Sequence, residues 1–227
     1  MVTAHAAVVN RPELRVRLDA GIDAFDAMVG VEINAAARES MLAYVALLDK
    51  WNKVYNLTAV REPERMIGMH ILDSLSVLPY ISGAKRILDV GTGGGLPGIP
   101  LAIARPALQV TMLDAIAKKT AFVRQAIGEL ELKNADVITG RVESPLVIEK
   151  FDHVISRAFA DLKDFVDAAG HHCVVGGTML AMKGIYPHEE LGRVPAGFLV
   201  SNVVALKVPD VDAERHLVII QKKPGNP

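Results

Sequence analysis

One cysteine, Cys173, is all that the 227-residue sequence holds, so no intrachain disulfide is open to it. The first twenty-five residues also lack a continuous apolar run followed by a small-residue cleavage site. Both absences point to a reducing, cytoplasmic setting. No apolar stretch approaches the roughly 18 uninterrupted residues of a membrane helix, because Asp, Lys, Arg or Gly breaks each run, and a soluble protein with no membrane partner is expected. Charge imbalance is missing too: 25 basic side chains stand against 26 acidic ones, a net charge of −1. That excludes the electrostatic footprint of a general nucleic-acid binder, so any such substrate has to be met locally. Arg61, Arg65, Lys118, Lys119, Arg124, Arg141 and Arg157 form a basic set that reads equally well as a phosphate-contacting patch or as a solvated face. Aromatic residues make up only 5% of the chain, which leaves few rings for stacking on a base.

What is present is an ordinary globular composition, 51% hydrophobic and 22% charged, in a chain long enough for one core with an appended segment. Leu14, Leu18, Ile22, Phe25 and Met28 recur at helical spacing between Pro12, a first-turn residue, and Gly30. From Met41, the residues Tyr44, Val45, Leu48, Trp51 and Tyr55 form a second amphipathic stripe. Glu62-Pro63-Glu64 starts a third helix carrying Met66, Ile67, His70, Ile71 and Ser74 and ending around Pro79. Residues 1–80 therefore read as a helical segment packed on a core of residues 81–227.

At Arg86 the pattern changes. Short runs at Ile87 to Val90, Val110 to Leu113, Val137-Ile138, Val154 to Ser156 and Met179 to Met182 alternate with helical stretches, the signature of parallel βαβ units. Val203 to Leu206 and His216 to Ile220 flank a turn at Pro209 to Asp212 and should pair antiparallel. The expected fold is α/β, a mostly parallel, doubly wound, seven-stranded sheet with a C-terminal antiparallel hairpin, preceded by helices.

Between the first strand and the next helix lies Asp89-Val90-Gly91-Thr92-Gly93-Gly94-Gly95-Leu96-Pro97-Gly98. Glycines there let backbone turn tightly under a ligand at the carboxyl ends of the strands. Gly93, Gly95 and Gly98 literally match a dinucleotide fingerprint, which would make a nicotinamide-dependent oxidoreductase. The frame is wrong for it, since the strand closes at Gly91 with an acid two residues earlier. The loop is instead similar to the first motif of class I methyltransferases, which bind S-adenosyl-L-methionine. Asp89 then acts on the cofactor's amino group through bonded backbone or water, or simply caps the loop. Asp114 ends the next strand where a ribose-binding acid is needed, or caps the following helix. The third strand runs into Gly140-Arg141-Val142-Glu143, where such enzymes contact adenine; backbone groups of Val142 and Glu143 are the candidates.

Further segments extend the likeness: Lys50-Trp51-Asn52-Lys53-Val54-Tyr55-Asn56-Leu57-Thr58, His70-Ile71-Leu72-Asp73-Ser74, Leu96-Pro97-Gly98-Ile99-Pro100, Ile155-Ser156-Arg157-Ala158-Phe159, Met182-Lys183-Gly184 and Glu214 to Val218. Taken in this order over residues 40–222, they resemble the GidB or RsmG family of bacterial 16S rRNA guanine-N7 methyltransferases. The resemblance implies cofactor contacts at Gly91, Leu96, Val142, Glu143 and Arg157, to which the loop reading adds Gly93, and 16S rRNA in the small subunit or an assembly intermediate as partner. It also places polar residues of the family pattern at Asn56, His70, Asp73, Lys118, Arg141, Lys183 and Arg215. Arg157, Arg141, Lys183 and His70 are expected to position the reacting groups. Position 94 is glycine where some members carry proline, which should loosen the loop.

Guanine N7 has an in-plane lone pair and no proton, so no general base is required and catalysis is mainly positioning. Arg157 meets cofactor or phosphate; Phe159 either stacks on a splayed base or fills the core. His70 either takes part in positioning or holds the helical segment against the core by a hydrogen bond. Neither His70 with Asp73 nor His171-His172-Cys173 completes a metal-ligand pattern, and no metal is expected. The same glycine loop would also serve a methyltransferase acting on a small molecule or protein, or a non-catalytic nucleotide-binding or ribosome-assembly module.

Overall fold

A computed structural model describes residues 11–143, 149–157 and 159–224. Residues 1–10 of the expected helical segment and Ala158 of the fourth-strand motif lie outside the described residues.

Helix α1 spans Pro12–Val29, with proline in its first turn, and stops at Gly30, whose φ of 65° returns its N–H to the Asp26 carbonyl. Helix α2 runs over Ala35–Tyr55. It starts earlier than the apolar stripe because the Asn34 side chain accepts from Ala37 N and caps a run of alanines. Asn56, at φ 51°, ends it. The third helical stretch, α3, is built from an α-turn over Pro63–Met66, a π-helical turn over Ile67–Leu72 and a last α-turn over Asp73–Leu75. Apolar spacing carries no sign of the π turn, which holds His70 and leads directly into Asp73.

The strands follow as β1 (Arg86–Val90), β2 (Gln109–Asp114), β3 (Ala135–Thr139), β4 (Phe151–Ser156), β5 (Cys173–Lys183), β6 (Phe198–Ala205) and β7 (His216–Lys222). The intervening helices are α4 (Gly98–Ala104), α5 (Ala117–Glu129) and α6 (Leu162–Ala169). Among the described residues the seven strands form one sheet in the order β3-β2-β1-β4-β5-β7-β6, with β1 to β5 parallel. The final pair is antiparallel, and β7 sits inside, between β5 and the edge strand β6. The strand order reverses between β1 and β4, and at such a switch point the two loops part and leave a crevice for ligands.

Alternation along the strands sends side chains into two cores. Ile87, Met112, Ile155, Leu180 and Leu217 join Leu18, Ile22, Tyr44, Leu48, Ile71 and Phe122 on one face. Leu88, Val90, Val154, Met179, Val218 and Ile220 join Leu162 and Phe165 on the other. The stripes of α1, α2 and α3 join the same hydrophobic cluster as α4 and α5, with α2 packed on α4 and α5, and α1 packed on α2 and α3.

Candidate active site

Two cavities open at the carboxyl end of the sheet, one on either side of the loop that follows β4. The first, about 340 Å³, is lined by Gly91, Asp114, Ile116, Arg141, Val142, Glu143 and Phe159 among others. Its floor is the glycine loop. Gly91 N and Thr92 N both donate to the Leu113 carbonyl, at 2.8 and 3.1 Å, which welds the loop to the end of β2. Gly93 has a φ of 59°, a left-handed conformation costly to residues with a Cβ. A Cβ on Gly98 would stand 2.6 Å from the Met112 sulfur, so glycine is also needed where α4 crosses β2.

Asp89 is fully buried. Its Oδ2 accepts from Thr92 Oγ1 at 2.6 Å and from Gly98 N at 2.9 Å, so the loop-capping role is built into the fold. Burial pushes its pKa up to about 6, against the lowering by those two hydrogen bonds. Oδ1 has no hydrogen-bond partner among the described residues. An orphaned buried carboxylate oxygen is costly, and a ligand's ammonium group, or a water it holds, would satisfy it. This is the observation that fits S-adenosylmethionine to the site.

Asp114 does two jobs: Oδ2 accepts from Gly93 N and Oδ1 from Ile116 N, both at 2.9 Å, with Lys119 Nζ 3.8 Å away. The N-cap position of α5 belongs to Ile116, and Asp114 supports it from two residues earlier. Each carboxylate oxygen accepts more than one hydrogen bond, which leaves capacity for ribose hydroxyls. Val142 is buried and its carbonyl accepts from His172 Nε2 at 2.9 Å, a clamp on this wall of the cavity that joins residues 30 apart in sequence. Gly93 and Leu96 lie in the loop behind this cavity rather than on its wall. Phe159 lines it while its ring packs on Phe165 at 5.2 Å, so it belongs to both core and cavity wall.

The second cavity, about 380 Å³, brings together Thr58, His70, Asp73, Arg157, Lys183, Arg215 and His216. Asp73, almost wholly buried, is its electrostatic centre. Its Oδ2 accepts from Arg157 Nη1 and its Oδ1 from Arg215 Nε, each at 2.8 Å. One carboxylate therefore fixes α3 to the end of β4 and to the β6–β7 connection. Arg157, expected on the cofactor, lines this second cavity, one residue beyond β4. Arg141, expected to work beside Arg157, lies across the loop in the first cavity and is exposed.

His70 Nδ1 lies 2.8 Å from the Met69 carbonyl, which can only accept, so Nδ1 carries the proton and Nε2 accepts from Thr58 Oγ1 at 2.8 Å. Burial, with the Arg157 charge adding to it, lowers its pKa to about 4. The expectation that His70 anchors the helical segment to the core is corrected here: both partners belong to that segment. Polar anchors include the Asp73 ion pairs, the pair of Arg17 with Asp210, and the Tyr44 hydroxyl, which donates to the Gly94 carbonyl from a buried position on α2. That bond also holds the loop that a glycine at 94 would otherwise slacken.

Lys183 is tied to the chain itself. Its ammonium donates to the Phe159 and Ala160 carbonyls and to Glu190 Oε2, three acceptors for three protons. It staples the loop dividing the two cavities. Lys118 and Arg124 are exposed on α5. Among the described residues no group of three or more His, Cys, Asp and Glu side chains is placed to hold a metal ion. No helix among them is long and apolar enough to cross a membrane.

Comparison with known proteins places this geometry. A protein of Neisseria meningitidis named ribosomal RNA small subunit methyltransferase G is 53% identical over 211 residues, covering 93% of this chain and all of its own. One of the same name from Burkholderia vietnamiensis is 49% identical over the full length of both chains. Among solved structures, an O-methyltransferase from Bacillus cereus in complex with SAH superposes with a TM-score of 0.55 at 17% identity, over 91% of this chain and all of that one. This last likeness is one of fold, a Rossmann-like methyltransferase. The family described as GidB, rRNA small subunit methyltransferase G, matches residues 37–218, and the chain belongs to it.

Proposed function

We infer that this protein transfers the methyl group of S-adenosyl-L-methionine to N7 of a guanine in 16S ribosomal RNA, acting in the cytoplasm on the small subunit or an intermediate in its assembly. The observation that carries the reading is the pair of cavities in a chain of this family: a nucleoside cradle of Gly91, Asp114, Val142 and Glu143, and beyond the β4–α6 loop a chamber with three cations against one carboxylate. Asp89, Gly93 and Leu96 shape the loop under the cofactor's amino-acid end. Family membership speaks for RNA over a small molecule or protein as acceptor.

When bound, S-adenosylmethionine supplies an electrophilic methyl group on a sulfonium. The chain's residues do the rest by placement. N7 brings a free lone pair, so the transfer needs no base; His70 is neutral with both nitrogens engaged, and Lys183 has committed its protons. Arg157 and Arg215, held in fixed orientation by Asp73, present guanidinium charge to a phosphate or to the O6 edge of the base. Phe159 and the strapped loop exclude water from the space between the cavities.

The test is transfer of labelled methyl from S-adenosylmethionine to small subunits purified from a strain lacking the gene, followed by nucleoside analysis. A single 7-methylguanosine is expected. Cofactor binding with no label in rRNA would leave the methyltransferase and remove the substrate.

A further inference from the structure

Beside the second cavity, the segment after β5 turns outward and exposes Ile185, at 76% the most solvent-accessible large hydrophobic side chain among the described residues. Next to it Tyr186 is 37% exposed. Its ring lies 4.3 Å from that of His188 and meets His216 edge-on at 5.4 Å and 84°. His216 itself lines the cavity, and its Nδ1 finds no hydrogen-bond partner among the described residues. In a chain with few aromatics, three rings are thus gathered at the mouth of a chamber where Arg157, Lys183 and Arg215 outnumber Asp73.

We propose that Tyr186, backed by His188 and His216, is a stacking platform for an unpaired nucleobase of the RNA, adjacent to the base that enters the cavity. The proposal rests on the methyltransferase reading for the identity of that RNA and deepens it. A base that enters an enclosed cavity has left its stack, and the neighbour it deserts gains from a new π-face. Aromatic rings supply one without regard to sequence, while nearby guanidinium groups draw the backbone. Core packing does not account for the arrangement, since Tyr186 spends its ring on the exposed His188 and the half-buried His216 and adjoins an exposed isoleucine. Ile185 extends the apolar face on which a ribose or base edge can rest.

Three variants separate stacking from bulk: Tyr186→Phe, Tyr186→Leu and Tyr186→Ala. Each is first checked for an unchanged melting temperature and S-adenosylmethionine affinity. The probe is a single-stranded oligoribonucleotide carrying 2-aminopurine, whose fluorescence is quenched on stacking. Quenching is expected with the wild type and Tyr186→Phe and absent with Tyr186→Leu and Tyr186→Ala, and the last two should raise KM for small subunits about tenfold. Equal quenching by Tyr186→Leu would overturn stacking in favour of apolar bulk. An effect on KM without any on quenching would assign the patch to a ribosomal protein and overturn the proposal. Methylation that is indifferent to all three variants removes the platform and spares the function; quenching without methylation by the wild type does the reverse.

Discussion

Asp73→Asn is the substitution that most directly probes how the two halves of the site are joined. Asparagine fills the same space but loses the charge that both guanidinium groups share, and its amide nitrogen is forced towards one of them. Removing one partner of a fully buried ion pair costs about 3–5 kcal/mol. Here the Arg157 and Arg215 side chains retain 25% and 18% exposure and regain some water, so the expected loss is about 2–3 kcal/mol. For a chain of this length that is a fall in melting temperature of about 5–10 °C, read by circular dichroism. Affinity for RNA should drop as well, because neither guanidinium keeps its orientation, whereas S-adenosylmethionine affinity should hold because the first cavity lies across the loop. A double-mutant cycle with Arg215→Gln should give a coupling of about 1–2 kcal/mol. Strict additivity, or a melting temperature within about 2 °C of wild type, would refute the view that this carboxylate is the joint.

Gly93→Val should leave the chain folded but abolish S-adenosylmethionine binding, since a β-branched residue resists φ near 59°; isothermal titration with unchanged affinity would remove the loop from the site. Tyr44→Phe should cost about 1 kcal/mol in denaturant unfolding and weaken cofactor binding severalfold by freeing the Gly94 carbonyl, and a variant indistinguishable from wild type would mean the loop holds itself. Stability against pH carries two opposed slopes. His70, with a folded pKa of about 4 below its unfolded value of 6.5, adds stability as pH rises through that window. Asp89, at about 6 folded against 3.8 unfolded, removes it as pH rises over nearly the same range. These two contributions should nearly cancel in the wild type, so that relative to it His70→Gln should lose stability as pH rises and Asp89→Asn should gain it; unfolding midpoints at several pH values that run parallel for all three proteins would contradict the assignment.

Local grammar made most of the fold legible. Gly30 and Pro12 bounded α1, the β-branched runs marked the strands, and the acid-glycine loop announced both switch point and cofactor class. Where the sequence misled, long-range contacts decided. The π turn in α3 leaves no trace in apolar spacing, because Met66, Ile67 and Ile71 satisfy either register. Asp73 and Arg215, 142 residues apart, meet only once β7 has entered the sheet. Tyr44 looked like one more residue of an apolar stripe, and its hydroxyl matters only because Gly94 ends up 50 residues away beneath it. His172 offered a metal motif to the eye and turned out to hold Val142. In each instance the residue type was visible and its partner was not, since a partner is set by topology rather than by neighbours in the chain.

A near-neutral chain that acts on a polyanion cannot rely on a general electrostatic attraction, and we propose that a few fixed cations replace it. The cations that matter are few, and they sit in fixed positions: Arg157 and Arg215 on one carboxylate, Lys183 on three acceptors around a loop. A guanidinium already paired with a carboxylate contributes little net charge at a distance and attracts phosphate weakly from afar. At contact range the same pairing becomes an advantage, because the donors are oriented before the substrate arrives and no ordering entropy remains to be lost. Such a design trades non-specific affinity for discrimination between properly presented RNA and the bulk of cellular nucleic acid. It suits an enzyme whose chemistry needs no base and whose task is to hold one nitrogen in line with one methyl group.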